Sequence, residues 1–356
     1  MRLSTVLSMV GLGVCAATFT FAQGCGGDDD NGGSSGGGGT AQTGKVPPAS
    51  DGDPTSSTEE RTFALHEIFL GEASRSGAAS GTAWKSFGYN LDGLVTNVTD
   101  QSSPDLAKVC KRVGTAPAST HQDGDDGIDN AFGSQLVSLI QSFAPTPSKS
   151  ISDAIKKGDF TILFKVKGLT DDAAQTNTGL SGQILVGTTF SESGTPSFSP
   201  SDDWPYLSEP KVDVSGAYVK DGTFVNGQSG ATVRLALSIQ GQQLALTVNK
   251  AIITFKHNPP NDALEGTIAG VIRTEELVDG IGKVAGNINT SLCSGSTIEG
   301  IKDSIRAASD MMANGTQDPN STCDGISVGI GFTAKRVANP TQEKAPGADP
   351  PNPCDQ

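Results

Sequence analysis

The stretch ATVRLALSIQGQQLALTVNKAIITFKH, residues 231–257, decides the fold. Apolar residues occupy alternate positions from residue 233 to residue 239, the period of a strand with one buried face. Gly241-Gln242 fits a two-residue type II′ turn, in which glycine takes the first central position. The alternation resumes at residue 244 and then shifts phase, which predicts a β-bulge near Asn249–Lys250. The stretch therefore predicts an antiparallel β-hairpin.

Strand and helix patterns flank this hairpin. Alternation predicts further strands at residues 160–167, 180–190, 211–219, 264–273 and 326–337. Apolar stripes at helical spacing predict two helices over 277–288 and 296–312. The second helix is expected to begin with a capping box of Ser296 and Glu299. The expected fold class is α+β, mainly β: an antiparallel sheet or sandwich packed with a helical pair and stapled by disulfides.

Composition divides the 356 residues into four segments. Residues 1–24 are expected to be a signal peptide, and residues 25–58 a lipidated cysteine with a flexible Gly/Ser/Asp-rich tether. Residues 59–337 form a single globular body, with a sub-boundary near 145–158, and residues 338–356 form a Pro-rich tail. The formal net charge of −14 argues against binding nucleic acid.

The N-terminus carries an export signal. Arg2 precedes the apolar run VLSMVGLGVCAATFTFA at residues 6–22, which is followed by acidic rather than basic residues. The segment AQGCGG at 22–27 resembles the lipobox of bacterial lipoproteins. The resemblance implies cleavage before Cys25, lipidation of Cys25 and anchoring in the cell envelope, with the glycines that follow favouring the outer membrane. Ordinary secretion after a cut nearby is the alternative.

Four cysteines follow the tether, an even number that suits disulfides in an oxidising compartment. Cys293 precedes the second predicted helix and Cys323 the last predicted strand, so we expect a bridge between them. Cys110 and Cys354 would then form the second bridge. Four cysteines allow three connectivities, and the other pairings stay open at this point.

The sequence DGDDGIDN at residues 123–130 is the sharpest candidate site. Calcium takes six to eight oxygen ligands from a tightly turning backbone, and this composition supplies several. The alternative is an Asx-type turn leading into a helix at 132–143. The expected calcium ligands are Asp123, Asp125, Asp126, Asp129 and Asn130.

A second candidate site combines carboxylates with aromatic rings at Asp202, Asp203, Trp204 and Tyr206. An aromatic ring with nearby oxygens suits stacking and hydrogen bonding to a sugar. The alternative is a tryptophan that anchors a loop to the core.

Enzyme motifs are poor. The histidines His66, His121 and His257 lie in unrelated contexts, and GQSGA at 227–231 lacks the second glycine of a nucleophile elbow. The motifs TAWKSFGYNLDG (82–93), Cys110, DGDDGIDNAFG (123–133) and CDGISVGIGF (323–332) are similar to those of uncharacterised secreted lipoproteins of myxobacteria and their relatives. That resemblance implies no activity.

The first hypothesis for function is therefore a non-catalytic binding or envelope-structural module, anchored to a membrane through lipid, with Ca²⁺ as its one expected cofactor. The partner, protein or glycan, stays open. The alternative hypothesis is an extracytoplasmic hydrolase acting on glycans or another envelope polymer.

Overall fold

The computed structural model describes residues 44–356, except residues 101, 192–193, 228–230, 240–241, 289, 348–353 and 355–356. The predicted signal peptide, Cys25 and the first part of the predicted tether therefore lie outside the described residues. The strands are β1 (Glu60–Phe69), β2 (Thr161–Lys167), β3 (Asn177–Gly187), β4 (Tyr206–Lys220), β5 (Thr223–Val225), β6 (Ala231–Ile239), β7 (Gln242–Asn258), β8 (Asp262–Arg273), β9 (Gly325–Val337) and β10 (Glu343–Lys344). The helices are α1 (Val137–Phe143), α2 (Pro147–Lys157), α3 (Thr274–Ile288) and α4 (Ser296–Ala307).

Eight of the strands close into an antiparallel barrel. The order is β4-β3-β2-β1-β9-β8-β7-β5, and pairing of β5 with β4 closes the ring. The short strand β10 adds to β4 in parallel, and β6 pairs with the first half of β7. The expectation of a mainly β, antiparallel fold is confirmed, and the sheet is a closed barrel rather than an open sheet or a sandwich.

Aromatic side chains fill the barrel. Phe255 of β7 contacts Phe63 of β1 and Phe224 of β5, with ring centroids 5.4 and 4.7 Å apart. Phe164 of β2 stacks on Phe332 of β9 at 5.1 Å. Eight strands enclose a space that side chains can fill. The void among Phe164, Phe224 and their neighbours has a volume of about 10 Å³. The barrel interior is therefore a packed core and not a ligand cavity.

The hairpin at 231–257 forms as β6 and β7. Val233 pairs with Val248 and Ala231 with Ala251, so β7 has one extra residue between the two pairs. Lys250 lies in this bulge with a positive φ of 50°, which confirms the predicted bulge. Ile239 pairs with Gln242, so Gln242 belongs to β7 rather than to the predicted turn, and residues 240–241 lie outside the described residues.

The outer face of β9 carries glycines because another segment lies against it. A Cβ on Gly329 would collide with the carbonyl oxygen of Phe87, which leaves no room for any side chain. The Asn130 side chain donates to Gly329 O and accepts from Gly329 N at 3.0 Å, in the manner of a neighbouring strand. The even-numbered residues from Ile326 to Phe332 face the core and are fully buried. This arrangement holds the loop containing Asn130 against the barrel wall.

Both predicted helices form, with corrections at their ends. The second is shorter than predicted, because α4 ends at Ala307 and Met311 instead pairs with Gly325 beside β9. The predicted capping box is wrong. Gly295 precedes the helix without any side-chain cap, and Glu299 pairs with Lys302 at 3.0 Å.

The region near 145–158 is helix α2, which the pattern analysis did not predict. Its Ser148 and Ser152 hydroxyls accept hydrogen bonds from the Leu70 and Ile68 N–H groups of the chain at the end of β1, at 2.8 and 3.0 Å. These contacts attach the region to the barrel. All described residues belong to one compact unit.

The disulfides are Cys110–Cys323 and Cys293–Cys354, with Cα atoms 5.3 and 5.1 Å apart. Disulfide bonding is confirmed, but the expected pairs Cys293–Cys323 and Cys110–Cys354 are wrong. The reason is a backbone pairing between two remote loops. Lys111 N donates to Ser321 O, and Cys323 N donates to Lys111 O. This pairing brings Cys110 and Cys323 together and leaves Cys293, after α3, to bind the tail.

Both predicted loose segments are partly docked. The Lys45 N–H donates to Asp126 O at 2.7 Å, and the Thr55 N–H donates to Thr178 O at 2.8 Å. The predicted tether boundary at residue 58 is therefore too late. In the C-terminal segment, Ala338 N donates to Asp202 O at 3.0 Å and β10 pairs with β4, so the tail is bound to the barrel through residue 344.

Candidate functional site

The main candidate site is an apolar pocket between the helices and one end of the β6–β7 hairpin. It has a volume of about 240 Å³ and is partly open to solvent. It is larger than an apolar cavity of about 150 Å³, which is enough to hold a benzene molecule. Its lining residues are Phe132, Leu136, Leu139, Ile140, Leu244, Leu277, Ile281, Val284, Ala285, Leu292, Thr297, Ile301 and Ile305.

The pocket is built by amphipathic helices that do not fully cover one another. Leu277 on α3 and Ile305 on α4 are buried at the base, whereas Ile281 and Ile301, about one turn away, are only partly buried. Leu139 on α1 is likewise partly buried. Among the described lining side chains, Thr297 carries the only hydroxyl, so this part of the wall offers apolar contact rather than directional hydrogen bonds. Such a wall suits a hydrocarbon group.

The sequence predicted the apolar stripes of α3 and α4 as core-facing surfaces. Their residues do line the pocket, but the hollow depends on the distance between α1 and the α3–α4 pair. Sequence periodicity carries no information on that distance.

The acidic segment 123–130 lies on another part of the barrel and is tied to the loop at 90–96. Both carboxylate oxygens of Asp123 accept hydrogen bonds from Thr96, one from its N–H at 2.6 Å and one from its hydroxyl at 2.7 Å. Asp129 Oδ2 accepts from the N–H groups of Leu91 and Asp92. Asn130 is engaged by the backbone of β9.

Burial changes the protonation of these carboxyl groups. Burial raises the pKa of Asp123 to about 7, and the charge of Asp92 adds to the effect. Burial also raises the pKa of Asp129 well above its usual value, with further contributions from Asp92 and Asp123. Asp310, which the pattern analysis missed, is a neighbour of this group. Its carboxylate accepts from the Ser327 N–H and hydroxyl, and burial raises its pKa to about 7.

The five expected calcium ligands are not gathered around one point. Asp123, Asp129 and Asn130 are buried and hydrogen-bonded within the fold, whereas Asp125 and Asp126 are exposed. Among the described residues, no group of three or more His, Cys, Asp or Glu side chains is arranged to hold a metal ion. The segment does lead into a helical stretch at 132–143, as the Asx-turn alternative expected. Calcium binding stays a prediction.

The expected sugar platform is wrong. Trp204 has no exposed surface, packs against Phe190 and Phe198, and donates its indole N–H to Thr188 O at 2.7 Å. It anchors a loop to the barrel, as the alternative reading expected.

The polar members of the same loop hold the C-terminal segment. Asp203 accepts from the Thr341 N–H at 2.9 Å, and Tyr206 donates its hydroxyl proton to Glu343 at 3.0 Å. Asp202 accepts from the Ser197 hydroxyl at 2.9 Å, and its backbone oxygen accepts from Ala338 N–H. Asp202, Asp203 and Tyr206 therefore fix residues 338–343 and are not assembled around a ligand.

The three histidines serve the fold. His121 Nδ1 lies 3.1 Å from Asp310 O, and His257 Nε2 lies 2.8 Å from Thr170 O. The His66 ring packs edge-on against Phe198. Within the described parts of the chain, no histidine forms a hydrogen bond with a serine or threonine hydroxyl. The geometry thus offers no support for a Ser-His site.

None of the helices in the described part of the chain is both long enough and apolar enough to cross a membrane. No protein-family model, curated protein or solved structure matches the chain.

Proposed function

We propose that the protein is a non-catalytic binding module of the bacterial cell envelope, anchored through lipid on Cys25, that holds an apolar group in the pocket between α1, α3 and α4. The observation that supports binding is the pocket itself. It is concave and partly open, and its wall is almost wholly apolar, features typical of small-molecule sites. The export signal and lipobox-like sequence support the envelope location.

The physical reason for binding is the partly exposed apolar surface of the helices. Leu139, Ile281 and Ile301 retain solvent contact inside the hollow. A hydrocarbon group placed there would remove that surface from water at a gain of roughly 25 cal/mol per Å² before the cost of association.

Titration with the neutral fluorescent probe N-phenyl-1-naphthylamine tests the proposal. The wild-type protein is expected to raise the probe's fluorescence in a saturable manner, and dodecanol should displace the probe. The variant Ile301→Trp fills the pocket and should abolish binding. Ser304→Trp adds the same side chain to an exposed position of α4 and should bind as the wild type does.

Circular dichroism and the melting temperature show whether Ile301→Trp folds. If it does not, Ile281→Trp places the same bulk on α3. Probe binding that persists in a folded pocket-filled variant would refute the proposed site.

A further inference from the structure

A second hollow adjoins the apolar pocket and is polar. We call it the vestibule; its volume is about 120 Å³. Leu292 lines both hollows, so the two share a wall. The Cys293–Cys354 disulfide lies at the vestibule, where it attaches the C-terminal segment beside α3 and α4.

Two lysines from different helices line the vestibule. Lys283 is on α3 and Lys302 is on α4. A Cβ built on Gly282 would lie 4.0 Å from Lys302 Cε, so the lysine stem crosses close to the backbone of α3 at that point. Lys302 pairs with Glu299 at 3.0 Å, and its side chain is 24% exposed. Lys283 is exposed, and no carboxylate of the described residues forms an ion pair with it.

The charges of the vestibule suit one negative charge. Asp279 is the third charged side chain among the described lining residues, and Lys302 is already paired with Glu299, so Lys283 is the lysine left to pair with one negative charge of a ligand. A carboxylate supplies one such charge. A phosphate monoester, with a charge of about −1.5 to −2, exceeds it.

We propose that the ligand is a single acyl chain that ends in a carboxylate, with the chain in the apolar pocket and the carboxylate in the vestibule between Lys283 and Lys302. The inference rests on the proposed function, since it requires that the apolar pocket bind a hydrocarbon chain. Lysine stems cover apolar surface while their ammonium groups stay in water, which suits the junction of an apolar pocket with a polar mouth.

Displacement of N-phenyl-1-naphthylamine by three ligands of equal chain length tests the head group. The ligands are dodecanoate, dodecanol and dodecyl phosphate, each below its micelle concentration. Wild-type protein is expected to bind dodecanoate about fivefold more tightly than dodecanol, the range of a partly exposed ion pair. Dodecyl phosphate should bind no more tightly than dodecanoate. Added salt should reduce the advantage of dodecanoate over dodecanol.

Lys283→Gln should remove most of the advantage of dodecanoate and leave dodecanol binding unchanged. Lys211→Gln is the matched control, because it removes another exposed lysine, which lies on β4 and away from the vestibule lining. Lys302→Gln should act in the same direction as Lys283→Gln, because it removes a positive charge and leaves the Glu299 carboxylate without its partner.

The outcomes separate the two proposals. Equal affinity for dodecanoate and dodecanol in the wild type, or an advantage that survives Lys283→Gln and Lys302→Gln, would overturn the head-group assignment while the proposed pocket stands. Tighter binding of dodecyl phosphate than of dodecanoate would overturn the choice of a carboxylate. Failure of all three ligands to displace the probe would overturn the apolar pocket as well.

Discussion

Replacing Asp310 with asparagine should change how stability depends on pH. The Asp310 carboxyl group is buried beside β9, where it accepts two hydrogen bonds from Ser327. Burial raises its pKa from 3.8 to about 7, and the charges of Asp92 and Asp123 act in the same direction. The folded protein therefore keeps this proton at pH values where the unfolded chain has released it.

The size of the effect follows from proton linkage. Between pH 4 and pH 7 the folded state binds one more proton at Asp310 than the unfolded state does, so the free energy of unfolding falls as pH rises. At 1.36 kcal/mol for each pH unit, Asp310 alone accounts for a fall of about 4 kcal/mol across this window. Below pH 4 both states are protonated, and above pH 7 both are ionised, so the contribution is flat outside the window.

Asparagine resembles the protonated acid in shape and carries no charge. Asp310→Asn should therefore be close to the wild type in stability at pH 5 and more stable at pH 8. A residual slope should remain in the variant, because Asp123 also has its pKa raised to about 7.

Urea unfolding followed by circular dichroism at a series of pH values measures this directly. Asp159→Asn is the matched control, since Asp159 is exposed and lies away from the buried acids in sequence. Its pH profile should match that of the wild type. If Asp310→Asn keeps the wild-type slope between pH 5 and pH 7, the assignment of a buried, protonated carboxyl group to Asp310 is refuted.

Three further predictions concern the disulfide, the buried tryptophan and calcium. Replacing Cys110 and Cys323 together by alanine should lower the free energy of unfolding by about 5 kcal/mol, from the chain entropy of a loop of 213 residues, as measured by urea unfolding. Trp204→Ala should cost about 3–5 kcal/mol and speed proteolysis within residues 338–347, whereas unchanged cleavage would contradict its anchoring role. Calcium binding at 123–130 predicts that excess calcium raises the melting temperature and that Asp129→Ala and Asp125→Ala both abolish the rise. An unchanged melting temperature would refute the calcium site and leave Asp129 as the acceptor of its two backbone hydrogen bonds.

Local patterns predicted the local structure. The alternation in 231–257 predicted the β6–β7 pair and the bulge at Lys250. When the apolar positions of a strand change from even to odd numbers, one extra residue in a bulge keeps them all on the same face. Closure of the barrel was not predictable in the same way. It depends on β5 pairing with β7 as well as with its neighbour β4, and on β1 lying between β2 and β9. The pairs of β5 with β7 and of β1 with β2 and β9 join segments remote in sequence, which no local pattern records.

The candidate sites show the same difference between features that local sequence patterns predict and features that depend on tertiary contacts. Trp204 has acidic neighbours in sequence, a context that is typical of an exposed aromatic ring. In the fold, Phe190 and Phe198 pack against the Trp204 ring and bury it. The apolar character of α3 and α4 was predicted, whereas the space between this pair and α1 was not, because it depends on tertiary packing. The buried acids were visible at 123–130 but not at Asp310, which stands alone in the sequence.

The position of β1 in the barrel determines when the protein can fold as it is made. Phe63 of β1 pairs with Arg336 of β9, so the second edge of β1 stays uncovered until β9 has been made. Cys110 likewise cannot form its disulfide until Cys323 emerges, and Cys293 emerges before its partner Cys354. The barrel can therefore close only after β9 is available, and until then a strand edge and the thiol of Cys110 stay exposed. Early pairing of Cys110 with Cys293 is the error that this order of emergence favours.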